Sequence, residues 1–269
     1  MDFLSGYITQ ILSTAGVIVI FGWLIALLRR AFCSVAGKGG PTILLATGII
    51  GTPIHELSHA LMCILFGHTI TEIKLFRPNA DDGMLGYVSH SYNKKNIYHQ
   101  IGNFFIGVAP VVLGCGVILL LFLILLPDSF DTVMLELGYM QGTSLTQLPI
   151  GEFFAFLWAS ICAIFAPENF EGWQGWVFIV FALMIASHTE MSGADIKSGA
   201  RGFAFIAILL LPVDLFLYFL LPDTFFALNE AALSFALIFS AFLSISLIFL
   251  LGLLMAALIV RGMGMLFSR

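Results

Sequence analysis

Residues 49–68 read IIGTPIHELSHALMCILFGH, a mostly apolar stretch that carries His55, Glu56 and His59 near its middle. Apolar stretches of this length with few charges are typical of membrane-spanning helices. A charged group deep in a bilayer costs about 2.5–3.5 kcal/mol on insertion scales, so ionisable side chains at that depth usually serve a function. The stretch therefore predicts a membrane helix that carries a functional site.

The composition of the whole chain also predicts a membrane protein. Of its 269 residues, 60% are hydrophobic and only 10% are charged, which is too few charges for a water-soluble domain. The net charge of −5 is thinly spread and does not suggest a nucleic-acid-binding surface, so we expect no nucleic-acid partner. The four cysteines form no CxxC pair, so we expect neither a disulfide framework nor a thiolate metal site. The first apolar run is too long and too uniform for a cleaved signal peptide, and we expect it to be the first span.

The apolar runs predict an all-α polytopic membrane protein of about six transmembrane helices, forming one domain over residues 1–269. A further run, 152–166, is short for a span, and we expect it to be interfacial or re-entrant. Residues 69–76 and 83–90 are rich in β-branched and aromatic side chains around a turn-like middle, which predicts a small membrane-associated β-hairpin. The six long runs lie at 7–28, 42–66, 101–126, 174–188, 203–221 and 231–260.

Lysine and arginine concentrate in four places, which the positive-inside rule assigns to the cytoplasm. Two of them, 29–41 and 67–100, cannot both be cytoplasmic if 42–66 crosses the membrane once. Either 42–66 is re-entrant, or 29–41 lies outside despite its charge, and we favour the second arrangement. It places the N-terminus, the β region, the 189–202 loop and the C-terminus inside.

The spacing of the three ionisable residues predicts a zinc site. His55 and His59 are four residues apart, so they share one face of a helix and can bind one Zn²⁺ together. Glu56 lies beside the first histidine, where it can take a proton from a water molecule that the metal activates. This HExxH pattern is typical of zinc peptidases, and a cluster that merely joins helices by hydrogen bonds is the alternative.

Zinc needs a third protein ligand, and the residues themselves leave two candidates. His188 and Asp195 both lie in ASHTEMSGADIKSGARG, residues 186–202, at the end of an apolar run. Asp195 has another explanation, because Ser192-x-x-Asp195 resembles a helix-capping box. His188 has one as well, since it could simply hydrogen-bond at the membrane interface. We expect the remaining histidines, His68, His90 and His99, to be surface residues.

The chain resembles the site-2 protease family of intramembrane zinc metalloproteases. HELSHALMCILFGHTITEIKLF (55–76) is similar to the zinc helix and following strand of that family, and LGYVSHSY (85–92) is similar to its return strand. IGNFFIGVAPVVLGCG (101–116) is similar to the span after that sheet. HTEMSGAD (188–195) falls where the family has Asn-x-x-Pro followed by an Asp-Gly that supplies the third zinc ligand. The resemblance covers roughly 42–202.

The resemblance implies Zn²⁺ as cofactor, Glu56 as the catalytic residue, and His55, His59 and Asp195 as ligands. His188 then stands where the family Asn contacts the substrate or the developing oxyanion. The chain departs from the family at Ser58, where Gly is usual, and at Ile196, where Gly follows the Asp. The implied layout is a metalloprotease-like core at 42–202, with a zinc helix at 42–66, a β region at 69–92, spans at 101–126 and 174–188 and a third-ligand loop at 188–202, followed by C-terminal helices at 203–269.

The leading hypothesis is a metalloprotease that cuts membrane-protein or peptide substrates within the lipid bilayer. We expect a multi-pass protein of a bacterial cytoplasmic membrane, with its active site towards the cytoplasmic side. The alternative is a non-proteolytic, metal-binding sensor or regulatory protein that keeps the fold, but a binding site has no need of Glu56 as a base. A proton-relay transporter would show two related halves, which the sequence lacks. The sequence leaves the oligomeric state open.

Overall fold

The fold is helical, with one small sheet. The computed structural model describes residues 2–79, 83–141 and 150–267. In this part of the chain, six helical segments are long and apolar enough to cross a membrane, and the two strands form one antiparallel sheet. The predicted fold class, a multi-pass helical protein with a small hairpin, is therefore confirmed. The six segments are Phe3–Ala36, Gly39–Leu65, Ile97–Leu125, Gly151–Phe170, Gly193–Leu220 and Pro222–Met263.

The first of these segments is built from two helices joined by a π-helical turn at Leu12–Gly16. A short 3₁₀ helix spans Pro167–Phe170. The helices are α1 (Phe3–Ile11), α2 (Val17–Ala36), α3 (Gly39–Leu65), α4 (Ile97–Leu125), α5 (Pro127–Gln141), α6 (Ile150–Ile164), α7 (Gln174–Ala186), α8 (Gly193–Leu220) and α9 (Pro222–Phe267), and the strands, between α3 and α4, are β1 (Thr69–Lys74) and β2 (Tyr87–Ser91).

Three boundaries differ from the sequence-based expectation. The run 174–188 forms only the 13-residue helix α7, which is too short to cross a membrane alone. The run 152–166 instead belongs to the candidate span Gly151–Phe170, which consists of a helix that ends at Ile164 and a short 3₁₀ helix that begins at Pro167. The expected loop 189–202 is mostly helical, since α8 begins at Gly193. Helix α5 was not expected, because its acidic residues made 127–151 look like a connection.

Helices α7 and α8 run in the same direction beside α4. Phe122 of α4 stacks on Phe178 of α7, with ring centroids 5.1 Å apart. Nearer the start of α4, Gly107 lies against Gly199 of α8. Residue numbers thus rise along α7 and α8 as they fall along α4, so the two helices form one interrupted path antiparallel to α4. The interruption, residues 187–192, lies inside the helix bundle and not at its end.

The hairpin folds back along α3. Ile70 pairs with His90 and Lys74 with Tyr87, and the register shifts by one residue between Ile70 and Glu72. Beyond the strands, Leu85 lies against Gly48, in the first half of α3. The predicted hairpin is confirmed, and it stands beside the membrane helix over much of its length. Of its predicted turn, 77–82, residues 80–82 lie outside the part that the structure describes.

Helix α2 contacts the interruption between α7 and α8 through an ion pair. Arg29 of α2 bonds to Glu190, and both side chains are about three-quarters buried, with 25% and 22% of their surfaces exposed. The structure thus brings one arginine of the basic region 29–41 into contact with an acidic residue of the 189–202 region. Arg29 is a helical residue with a charged partner and not a charge in a loop.

Candidate metal centre and active site

Helix α3 places both histidines of the HExxH pattern in fixed orientations. His55 donates through Nδ1 to the backbone carbonyl of His188, at 2.7 Å. His59 donates through Nδ1 to the carbonyl of Ile106, at 2.8 Å. A carbonyl only accepts hydrogen bonds, so each neutral ring carries its proton on Nδ1 and a free lone pair on Nε2. Histidine ligands of metals are usually held in this way.

The two lone pairs face each other and a carboxylate. His59 Nε2 lies 3.2 Å from His55 Nε2 and 3.3 Å from Asp195 Oδ1. Asp195 Oδ2 lies 3.9 Å from His55 Nε2. Two unprotonated nitrogens this close repel each other, and no proton joins them. A cation between them removes that repulsion.

The three residues fit a zinc ion. Nitrogen and oxygen ligands about 2.0–2.2 Å from a tetrahedral Zn²⁺ stand about 3.3–3.6 Å from one another. The observed separations between the ligand atoms of His55, His59 and Asp195 bracket that range, and all lie within 4.8 Å. Two imidazoles and one carboxylate also form a donor set that catalytic zinc sites use.

Asp195 is both a helix cap and a neighbour of the histidines. Its Oδ2 accepts from the backbone N–H of Ser192 at 2.8 Å, and the Ser192 hydroxyl accepts from the N–H of Asp195 at 3.2 Å. This is the capping box that the sequence indicated. The two explanations of Asp195 are therefore compatible, because capping fixes the carboxylate at the start of α8 while Oδ1 faces His59.

The His188 ring lies away from this group. Its Nε2 is 3.0 Å from the Thr47 hydroxyl and 3.1 Å from the Leu44 carbonyl, both in the first half of α3. Its Nδ1 is 3.4 Å from the Thr52 hydroxyl. The backbone carbonyl of His188, and not its ring, contacts His55. The structure thus brings Asp195 to the HExxH histidines and makes His188 a residue that orients one of them.

Glu56 lies beside the ligand group, in a cavity of about 400 Å³. Only 6% of Glu56 is exposed, and its Cγ lies close to Gly86 of the hairpin. The cavity is lined by α3, by the segment leading into β2, by the start of α8 and by the 187–192 interruption. Glu56 and the three ligand side chains therefore line one cavity together.

Sequence reasoning missed two groups of residues near the cavity. One is the pair Arg29–Glu190, which lines it. The other is a cluster of His68, His90 and Cys63, where His68 is buried and not a surface residue as expected. Burial lowers the pKa of the His68 and His90 imidazoles below their usual range. The available signal was the presence of Cys63 and His68 soon after HExxH and of His90 in the predicted return strand.

Comparison with known proteins agrees with the geometry. Residues 48–150 match the model of a family described as "Putative zincin peptidase". The matched part contains the HExxH histidines and Glu56, the hairpin and α4, and it ends before Asp195. No curated protein and no solved structure matches the chain. Over residues 48–150 the chain is thus similar to a zinc metallopeptidase family, and that family implies zinc as the cofactor.

Proposed function

We propose that the chain is an intramembrane zinc metalloprotease of the site-2 protease type, with zinc held by His55, His59 and Asp195. One observation carries the proposal. Two oriented Nε2 lone pairs and a carboxylate converge beside a buried glutamate, in a cavity that lies alongside helices long enough to cross a membrane. A zinc peptidase needs three protein ligands, a general base and room for a peptide, and this arrangement supplies each of them.

Zinc, when bound, supplies a Lewis acid that lowers the pKa of water and polarises a peptide carbonyl. The backbone and side chains of this chain orient the ligands and transfer the proton. The carbonyls of His188 and Ile106 hold the two imidazoles in the ligating tautomer. Glu56 takes a proton on a carboxylate oxygen from the attacking water and passes it to the leaving amine. Because Glu56 is buried, few bulk waters compete for that proton.

The substrate we propose is a membrane-protein segment in extended conformation. The segment 84–88, which ends in β2, lines the cavity, so a peptide lying there runs beside a strand. Strand addition fixes an extended peptide through main-chain hydrogen bonds and tolerates many side chains. A transmembrane helix must unwind locally before it can bind in this way. We therefore expect spans interrupted by Gly, Pro or Asn to be preferred over uniform Leu/Ala spans.

The test is a proteolysis assay in lipid vesicles. The purified chain is reconstituted with single-span proteins whose spans contain Asn-Gly-Pro interruptions or only Leu and Ala. Mass spectrometry of the products locates the cut bonds. We expect the interrupted spans to be cut by the unmodified chain and not by the Glu56→Gln variant.

The matched control is Glu230→Gln, because Glu230 is an exposed glutamate on α9, away from the residues that line the cavity. This variant should cut as fast as the unmodified chain. The proposal fails if Glu56→Gln cuts at the unmodified rate, or if the unmodified chain with zinc bound cuts none of the spans. The second outcome would favour a metal-binding protein without protease activity.

A further inference from the structure

A second group of metal-binding side chains lies at the end of α3. Cys63, His68 and His90 bring one sulfur and two nitrogen atoms to within 4.8 Å of one another. Among the residues that the structure describes, this group and the group of His55, His59 and Asp195 are the only ones in which three such ligand atoms lie this close together. The two groups share no residue, and His90 also lines the cavity beside the first.

The end of α3 folds in a way that brings these residues together. Gly67 has φ +70°, a left-handed conformation that ends the helix and turns the chain back. The N–H of His68 then donates to the carbonyl of Cys63 at 2.8 Å. Strand pairing places His90 opposite Ile70, at the start of β1. The cluster thus joins three elements: the helix of the first site, its C-terminal turn and strand β2.

The His68 ring is held in a ligating tautomer. Its Nε2 lies 2.9 Å from the carbonyl of His99, so Nε2 carries the proton and donates it. The lone pair on Nδ1 consequently faces His90 Nδ1, at 3.0 Å. Tyr92 stacks on the same ring, with centroids 4.7 Å apart and planes at 14°, and limits its rotation. A backbone carbonyl therefore fixes this imidazole just as the carbonyls fix His55 and His59.

The chemistry of the three ligands selects the metal. One thiol and two imidazoles form a borderline-soft set that suits Zn²⁺ and does not suit Mg²⁺ or Ca²⁺. Cys63 has none of its surface exposed, which protects a thiolate ligand from oxidation. A direct hydrogen bond between His68 and His90 would explain their contact, but it would not explain why a buried thiol completes the triangle.

We propose that Cys63, His68 and His90 form a second zinc site, which ties the hairpin to the helix of the first site. The metal joins the C-terminal end of α3 to β2, the strand that lines the cavity. It therefore holds the cavity wall in place relative to Glu56. This site is independent of the proposed protease activity, because it requires none of the residues of the first site.

Cobalt distinguishes the two sites, because only the second contains sulfur. The zinc-free protein in detergent is titrated with Co²⁺ while its absorption spectrum is recorded. We expect two equivalents to bind, and one of them to produce a near-ultraviolet thiolate-to-cobalt charge-transfer band. Saturation with Co²⁺ without that band would overturn the proposal, whereas a single bound equivalent that shows the band would count against the first site alone. This measurement uses the unmodified chain, so it does not depend on how any variant folds.

Variants assign the band to its residues. Cys63→Ser should abolish the band and one equivalent of metal, whereas Cys162→Ser, at an exposed cysteine, should keep both. The double variant His55→Ala with His59→Ala should lose one equivalent and keep the band. A band that persists in Cys63→Ser, or that disappears in the double variant while the hairpin remains folded, contradicts a separate cysteine-containing site. If the unmodified chain shows the thiolate-to-cobalt band but cuts no substrate, that result would count against the proposed function and not against the second zinc site.

Discussion

His59 Nε2 lies 3.3 Å from Asp195 Oδ1, which joins the HExxH helix to the start of α8. This contact completes the group of three ligand atoms. It depends on the interrupted path of α7 and α8 beside α4, because that interruption places the first turn of α8 inside the bundle. Position along the chain alone would not have placed Asp195 there.

Removing the Asp195 charge should release zinc from the first site. We expect Asp195→Asn to weaken binding of one zinc equivalent by at least about tenfold. Replacing a residue that only hydrogen-bonds to a metal ligand already lowers metal affinity by about 10–100-fold, so replacing a ligand should cost at least as much. Asparagine still accepts a hydrogen bond, so the helix cap is kept. Metal analysis after dialysis against a weak chelator measures the loss.

The control for this prediction is Asp223→Asn. Asp223 also lies in the first turn of a helix, α9, but it is exposed. Its variant should retain all bound zinc. Equal zinc content in Asp195→Asn and Asp223→Asn would remove Asp195 from the ligand set.

The variant His188→Ala should lower the free energy of unfolding without lowering the zinc content. The His188 ring hydrogen-bonds the Thr47 hydroxyl and the Leu44 carbonyl, while its contact to His55 comes from the backbone. His188→Ala leaves buried polar groups unpaired, and we expect the free energy of unfolding to fall by about 1–3 kcal/mol. Thermal unfolding and zinc content are measured on the same sample. A variant that keeps its stability but loses one zinc equivalent would make His188 the ligand.

Helix α4 should not tolerate an added methyl group at Gly107, where it lies against α8. A Cβ at Gly107 would lie 2.6 Å from the Asp195 carbonyl and 2.8 Å from the Gly199 Cα, and neither backbone atom can move away cheaply. We expect Gly107→Ala to lower the free energy of unfolding by about 1–3 kcal/mol and to reduce zinc affinity.

The same helix provides the control, because a Cβ at Gly116 would meet nothing within 4 Å. Gly116→Ala should be neutral or stabilising by up to about 1 kcal/mol, since Ala is the better helix former. Unfolding in detergent compares the two. Equal stability of both variants would contradict the close crossing of α4 and α8.

The Arg29–Glu190 pair should show coupling when both partners are replaced. Either Arg29→Met or Glu190→Gln leaves one mostly buried group without its partner. We expect the double variant to be more stable than the sum of the single changes by about 0.5–3 kcal/mol. Arg30→Met, at the exposed neighbouring arginine, should show no coupling to Glu190→Gln. Strict additivity for Arg29 and Glu190 would show that the contact does not hold α2 to the interruption.

The sequence predicted the features that depend on local spacing. The HExxH residues followed from helical periodicity, and the hairpin followed from β-branched residues around a turn. The choice between Asp195 and His188 stayed open, because it depends on which way the chain runs after α7. Cys63, His68 and His90 were missed because a turn at Gly67 and strand pairing bring them together. Helix α5 was missed because its acidic residues resemble those of a loop.

The most direct test of the zinc site is a structure of the zinc-loaded protein with anomalous data collected at the zinc absorption edge. We expect an anomalous peak about 2.0–2.2 Å from His55 Nε2, His59 Nε2 and an Asp195 carboxylate oxygen. We also expect Glu56 to lie beside that peak without coordinating it. A zinc-saturated protein with no peak between these residues, or with a peak bound by the His188 ring in place of Asp195, would contradict the proposed zinc site.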